Sequence, residues 1–512
     1  MTSNNKESSA VSRRDMLKIF AAGATSAVGS IALGPLGAIA RANDNTLRFA
    51  WLPPAILDPR SASGDSEIAL LNAVYDYLIE TDAAANLVPR LAKSWEVSDD
   101  GLQYTLRLQE NAAWHDGSPV TADDVLWTIN WQQEAELSVA NLLSTVESVE
   151  AVDKHAIAIT LSAPNPDFLY NLTDNKLVIL KSEAENIGVE FNGSGPFILD
   201  EMIAGDRTIL RANADYWGGA PSIERLEFIY FADQQAGIAA VQGGIVDGIA
   251  RLDNSSFLGF AGDVNFNTTD IPSSGHHLAR IRSDRAPGND VRVRQAFKLA
   301  TDRDAIWDRV QLGFGAVGKD SPIGPAFGQY FLAEAEVPAR DPAAAAALLA
   351  EAGYPDGLDM TLHLPNSGSF PDLAQIFAAQ WEEAGIRVEV QLEEENIYWD
   401  GLWMDVVLGI TGWTPRPVPQ LYLDFAYHSE GAWNESRYSN ARVDELIEIG
   451  RSSLDQAERT AAYKEIQQIL LDEGPIVVPY FFAQFLVLAE HVSGLDLHPS
   501  AGRTNFNAAT IG

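Results

Sequence analysis

No cysteine occurs anywhere in the 512 residues. That absence excludes disulfides, thiolate metal sites, a cysteine nucleophile and a lipid-modified N-terminal cysteine. Histidine is sparse, with eight scattered residues and no H-x₃-H pair, whereas a zinc site needs three or four convergent ligands. No G-x-S-x-G nucleophile elbow is present either. Basic residues number 35 against 71 acidic ones, for a net charge of −36. A surface of that sign repels nucleic-acid phosphates and anionic membranes, so neither is expected as a partner. Beyond the N-terminal region no apolar run is long enough to span a bilayer, and there are no internal repeats or low-complexity linkers.

What is present points to an exported globular protein. The hydrophobic content of 46% and aromatic content of 9% are those of a folded chain. Its length exceeds what one core usually serves, so two or more lobes are expected. "SRRDMLK" (Ser12–Lys18) places adjacent arginines, Arg13 and Arg14, ahead of a weakly apolar, Gly/Ala-rich run from Ile19 to Ala40. This resembles a twin-arginine export signal, with Met16 where phenylalanine is commoner. Small-x-small cleavage sites stand at Ala38–Ala40 and Ala40–Ala42. Residues 1–42 carry five basic and two acidic side chains, a net +3, which leaves −39 on the rest. The expectation is a soluble mature protein, handed folded to the twin-arginine translocase.

From Asn43 onward short strands alternate with amphipathic helices. "YTLRLQ" (Tyr104–Gln109) alternates apolar and polar residues as a half-buried strand does. "DPAAAAALLAEAG" (Asp341–Gly353) carries its own start and stop, with Asp341 at the N-cap, Pro342 at the first helical position and Gly353 at the end. "DLAQIFAAQWEEAG" (Asp372–Gly385) predicts a second helix, followed by a strand at Ile386–Leu392. "MDVVLGI" (Met404–Ile410) predicts another strand.

"WHDGSPVTADDV" (Trp114–Val125) concentrates polar groups as an active site would, yet local rules account for them. Asp116-Gly117 is a turn pair. Thr121 with Asp124 three residues on forms the pattern of a capping box. "GFGAVG" (Gly313–Gly318) matches the dinucleotide fingerprint letter for letter, but it follows a helical stretch and no helix can follow it, so it reads as a glycine-rich loop. His276 and His277 lie on an extended segment, where neighbours point to opposite faces.

"LAKSWEVSDDGLQYTLRLQENAAWHDGSPVTADDVLWTI" (Leu91–Ile129) resembles the signature region of the extracellular solute-binding proteins of family 5, the peptide-, dipeptide- and nickel-type receptors of ABC importers. The likeness continues through "NGSGPFIL" (Asn192–Leu199), "ADYWGGAPSIERLEF" (Ala214–Phe228), "GGIVDG" (Gly243–Gly248), "NDVRVRQAFKLATDRDAI" (Asn289–Ile306), "YSNARVDELI" (Tyr438–Ile447) and "EGPIVVPYF" (Glu473–Phe481). The resemblance implies an α/β, two-lobed periplasmic binding protein (type II-like, cluster C) with an extra subdomain inserted in the first lobe. It implies lobe I from 43–74, 181–274 and 483–512, the inserted subdomain at 75–180, and lobe II at 275–482. It also implies a monomer that delivers solute to a membrane permease and its ATPase, with no cofactor and no resident metal.

The same resemblance directs attention to "ITGWTPRPVPQLYLDF" (Ile410–Phe425). In peptide-binding relatives the Gly-Trp pair is followed three residues later by an aspartate that pairs with the peptide's ammonium. Here Trp413 is followed by Thr414, Pro415 and Arg416. The charge at the anchor is reversed, and a guanidinium suits a carboxylate or phosphate. Competing roles for Arg416 are pairing with a lobe carboxylate or pointing to solvent from a proline-rich loop. Further candidates are Pro54 in the loop leaving the first strand, Ser194 and Gly195 for close backbone approach, Tyr398 ahead of a strand, and Trp433 with Asn434 in a loop. The expected ligand is a small peptide-like or other polar solute, anionic if Arg416 faces the cleft. Alternatives are an opine, a phosphorylated sugar or an oligosaccharide, and more remotely an enzyme or a nickel-chelate binder on the same scaffold.

Overall fold

The computed structural model describes residues 45–512 apart from 83–85, 135–139 and 141. The signal segment expected over 1–42 lies outside the described residues.

One large mixed sheet runs through both lobes. At one side lie Phe197–Ile203, Arg207–Ala212, Arg225–Tyr230, the first strand Thr46–Trp51, and Gly248–Ala250. At the other lie Leu408–Trp413, Leu358–Pro365 and Ile386–Glu393. Two long antiparallel strands, Phe266–Ile281 and Ile476–Ala489, belong to both halves and join them. "IVVPYFFAQFLVLA" is almost wholly buried, because cores pack on both faces of this strand, and its near-continuous apolar sequence follows. Phe485 and Val487 face one core of the first lobe, while Leu486 and Leu488 face the other.

The pairing of the two long strands breaks at two places. Pro272 opposes Ala483 and His276 opposes Phe481, so Ser273, Ser274 and Gly275 face Phe482 alone. A second slip falls between His277 and Ala279, opposite Val478 and Pro479. Pro479 has no N–H to give to the ladder, and a bulge is where a strand tolerates proline.

A separate four-stranded sheet (Ala92–Val97, Gln103–Leu108, Ala156–Leu161 and Val146–Asp153) forms the subdomain with its own core around Tyr104, Leu106, Ile157 and Phe168. The stretch at Trp114–Val125 belongs to its scaffold. The His115 ring Nε2 lies 3.0 Å from the Gly195 carbonyl. The Asp116 carboxylate accepts from Lys181 at 2.6 Å and from Asn192 at 2.8 Å. Asp124 accepts from the Thr121 backbone N–H at 2.8 Å, closing the cap of helix Ala122–Gln133.

The helix Pro342–Glu351 starts as its sequence says, with Asp341 accepting from the Ala344 N–H. Helix Phe370–Glu382 begins two residues before the expected Asp372. The strand expected at Met404–Ile410 is displaced: it runs Leu408–Trp413. Met404 and Val406 give their carbonyls to Arg282 and Arg280 instead of to a ladder. His276 packs on Tyr422 and Phe481, whereas His277 stacks on Phe370, so the two rings do face opposite cores. The loop Gly313–Gly318 lies along the strand Ile476–Ala489, and a Cβ on Gly315 would stand 2.1 Å from the Phe481 carbonyl oxygen.

Candidate functional site

The bulge that joins the lobes also positions the candidate anchor. The Ser274 hydroxyl accepts from the Arg416 N–H at 2.9 Å and donates to the Arg416 carbonyl at 2.8 Å. The Tyr422 hydroxyl shares its one proton between the carbonyls of Ser274 and Thr414, 2.9 and 2.8 Å away. Gly275 leaves room for Pro415, since a Cβ there would stand 3.1 Å from its ring. The segment Thr414–Pro417 is therefore strapped to the crossing strand where the two lobes meet.

It borders a cleft of about 1200 Å³. One wall carries Ala62, Ser63 and Asp65, then residues between Asn165 and Lys176 of the subdomain, and His498, Pro499, Ser500 and Arg503 near the C-terminus. The other carries Thr414–Val418, Phe425 and Glu430–Trp433, with Phe327 beside them. Most charged groups at the cleft are already committed. Arg251 pairs with Asp65, Arg451 with Asp424 and Arg503 with Glu80. Burial pushes the His498 imidazole down to about 4, so it is neutral near pH 7. Arg416 differs: its side chain makes no hydrogen bond or ion pair with any described residue, and its Nε is buried without a partner. On the opposite wall the Lys176 ammonium also has no partner among the described residues.

Beside Arg416 stands an aromatic shelf. Trp433 is 38% exposed and lines the cleft. It stacks on Phe425 with centroids 4.8 Å apart and lies 5.9 Å from the Trp413 ring. Trp413 itself is buried behind the wall, and its indole N–H points at Glu435. Buried Glu435 also accepts from Trp403 at 2.6 Å, Thr411 at 2.5 Å and Arg280 at 3.3 Å. This carboxylate fixes the layer on which the shelf rests.

Of the sequence candidates, Arg416, Thr414 and Trp433 line the cleft together. The others do not, each for a definite reason. Ser194 is fully buried with its hydroxyl on Asp76, and Gly195 packs on the Val74 backbone, where a Cβ would stand 2.6 Å from a carbonyl carbon. The close approach that those glycines permit is to the chain itself. Tyr398 is buried and donates to the Ile410 carbonyl. Asn434 turns inward, bonding the backbone of Tyr438 and His428. Pro54 lies outside the cleft wall, which the same loop reaches only at Ala62 and Ser63. There the buried Glu67 carboxylate organises the loop by accepting from the N–H groups of Ala55, Ile56, Ser63 and Gly64. The wall at Asn165–Lys176 was missed. Its signal is "NPDFLYNLTDNK", dense in Asn and Asp but interleaved with aromatics, as turn-rich binding loops are.

Two lobes joined by paired crossing strands around a large cleft, with an unpaired cation and an aromatic shelf on its wall, define a solute-binding protein. Among the described residues no helix is long and apolar enough to cross a membrane, and no three His, Cys, Asp or Glu residues converge as a metal site. The sequence profile described as bacterial extracellular solute-binding proteins, family 5 Middle, matches residues 86–434, and the chain belongs to that family. It is 26% identical to the dipeptide-binding protein of Escherichia coli, over 87% of this chain and 90% of that one. It is 27% identical to heme-binding protein A of Haemophilus influenzae, over 88% of each. The solved structure of HbpA2 from Haemophilus parasuis is similar with a TM-score of 0.82 at 26% identity, covering 91% of this chain and all of that one. The function is that of the substrate-binding component of an ABC importer.

Proposed function

We propose that the protein is a periplasmic receptor that captures an anionic, peptide-like or other polar solute between its lobes and passes it unchanged to a membrane permease. The observation that carries this reading is Arg416, clasped at the lobe junction and facing a cleft with no carboxylate partner of its own. In a chain of net charge −36, an arginine without a carboxylate partner is a reserved donor fork, suited to a carboxylate or phosphate. Lys176 supplies a second cation from the facing wall, and the exposed face of Trp433 offers an apolar surface beside the anion. A cleft of about 1200 Å³ also favours a solute at or above the size of a drug molecule. Relatives bear the names of dipeptide- and heme-binding proteins. The ammonium anchor of the peptide binders is replaced here, so a plain dipeptide with a free amino terminus fits this site poorly.

The lobes divide at residues 274–275 and 482–483, a reading supported by the break in register opposite Phe482. The subdomain at 75–180 is an insertion in the first lobe. Solute capture without chemistry is supported by the commitment of His115 and Asp116 to scaffold bonds. The chain acts as a monomer. It leaves the cytoplasm by the twin-arginine route, so changing Arg13 and Arg14 to Lys retains the precursor in the cytoplasm. Normal periplasmic accumulation of that double variant would contradict the route.

Thermal-shift screening of the mature chain against acidic peptides, opines, phosphorylated sugars, neutral oligosaccharides and nickel chelates tests the ligand class. A specific binder raises the melting temperature with the logarithm of its concentration over Kd. Stabilisation by anionic solutes that disappears in Arg416→Ala is the expected result. Stabilisation by a neutral sugar or a cationic chelate, unaffected by Arg416→Ala, would overturn the anionic reading.

A further inference from the structure

Asp167 stands at the N-cap of the short helix Phe168–Asn171, but its carboxylate makes no capping bond there. Its backbone carbonyl serves the helix, accepting from the N–H groups of Tyr170 and Asn171. The carboxylate instead accepts from Arg459 Nη2 at 2.5 Å, 292 residues along the chain. Both side chains are buried, 8% and 5% exposed. The pair joins two separate cores: Phe168 and Leu169 belong to that of the subdomain, whereas Tyr463, Ile466 and Leu470 on the helix Gln456–Glu473 belong to the second lobe. Arg459 is held ready by its own lobe. It donates to the Gly450 carbonyl at 3.0 Å and lies 5.7 Å from the rings of both Tyr330 and Tyr463. A second contact joins the same two units, for a Cβ on Gly101 of the subdomain would stand 2.9 Å from the Leu454 side chain.

We propose that Asp167 and Arg459 are a positioning pair that defines the closed arrangement of the lobes and so sets the affinity for the solute through the population of that closed state. A receptor binds with its intrinsic affinity reduced by the fraction of molecules in the competent state, so a contact that favours closure strengthens binding of every solute by the same factor. The pair does not lock the lobes. Asp167 Oδ2 has no partner, and burial holds the carboxyl above its usual range against the pull of Arg459. Water regains both groups when the cleft opens, which keeps closure reversible. Buried ion pairs behave in this way: losing one partner is costly, while replacing both by apolar residues is tolerated.

This inference rests on the solute-binding reading, but its first test needs no solute. The chain has no cysteine, so Val152→Cys in the subdomain and Glu382→Cys in the second lobe, both exposed, accept nitroxide labels cleanly. Interlabel distances are then measured by pulsed electron resonance in solute-free protein. The parent should show a population at the short distance. Asp167→Asn, which retains a good N-cap residue, and Arg459→Met, which retains the apolar stem, should each shift it to longer distances. The double variant Asp167→Leu with Arg459→Met should recover the short population. For any binder found by screening, each single variant should weaken affinity by about tenfold or more, equally for all binders. Single-variant distributions that match the parent, or a parent with no short population, would overturn the proposal. A shift in distance without any binder found would uphold the pair and count against the solute class.

Discussion

In the proposed reading, Arg416 redirects a site whose scaffold is otherwise retained. Its backbone is fixed twice by Ser274, so the residue's place at the lobe junction does not depend on the identity of its side chain. Changing that side chain should therefore alter binding without altering the fold. Truncating one partner of a buried, hydrogen-bonded charge pair costs about 2–5 kcal/mol. Arg416→Ala should weaken an anionic solute by at least about tenfold, and Arg416→Asp by more, through repulsion. Isothermal titration of both variants checks this against an unchanged melting temperature. Equal affinities in both variants and wild type would place the anion elsewhere.

At the scale of elements, the strand Ile79–Thr81 carries a carboxylate that holds the first lobe together beneath the cleft. Glu80 accepts from Arg90 at 2.5 Å and from Arg503 at 3.2 Å. Burial alone would raise its pKa, but the two guanidinium groups lower it to about 2. A carboxyl depressed in this way stabilises the fold above its unfolded pKa, and that contribution fades as pH falls through about 2. It amounts to roughly 3 kcal/mol. The melting-temperature gap between wild type and Glu80→Gln should narrow between about pH 5 and about pH 2. A constant gap would mean that the charge of Glu80 contributes little.

Elements with their own punctuation were legible in the sequence. Asp341-Pro342 announces a helix start because cap and proline act locally, and the Thr121–Asp124 cap was readable for the same reason. The strand Leu408–Trp413 starts four residues later than expected because Met404, Val406 and Val407 give a strand-like pattern, yet the Met404 and Val406 carbonyls are taken by distant arginines. Gly193-Ser194-Gly195 announced close approach correctly but not to what; Val74 is more than a hundred residues away in sequence. The facing wall at Asn165–Lys176 owes its place to contact with the second lobe, 292 residues along the chain at Arg459, and its local signal marks a turn-rich loop but not what that loop faces. Arg416 could be singled out because it departs from the relatives' pattern, while its lack of a partner could be read only from the fold.

For the whole molecule, the two crossing strands couple the lobes through one sheet. Their ladder is broken twice, where Ser273–Gly275 face Phe482 and again between His277 and Ala279, and the first break lies where Arg416 is clasped. In the proposed reading, solute bound there bridges the walls and favours the closed state by its differential affinity. The most direct test of this account is small-angle X-ray scattering of the mature protein, titrated with the solute that screening identifies. A radius of gyration that falls to a plateau at one solute per chain, and does not fall in Arg416→Ala at the same concentrations, is the predicted result. A radius of gyration unchanged at saturating solute would contradict capture by closure of the cleft.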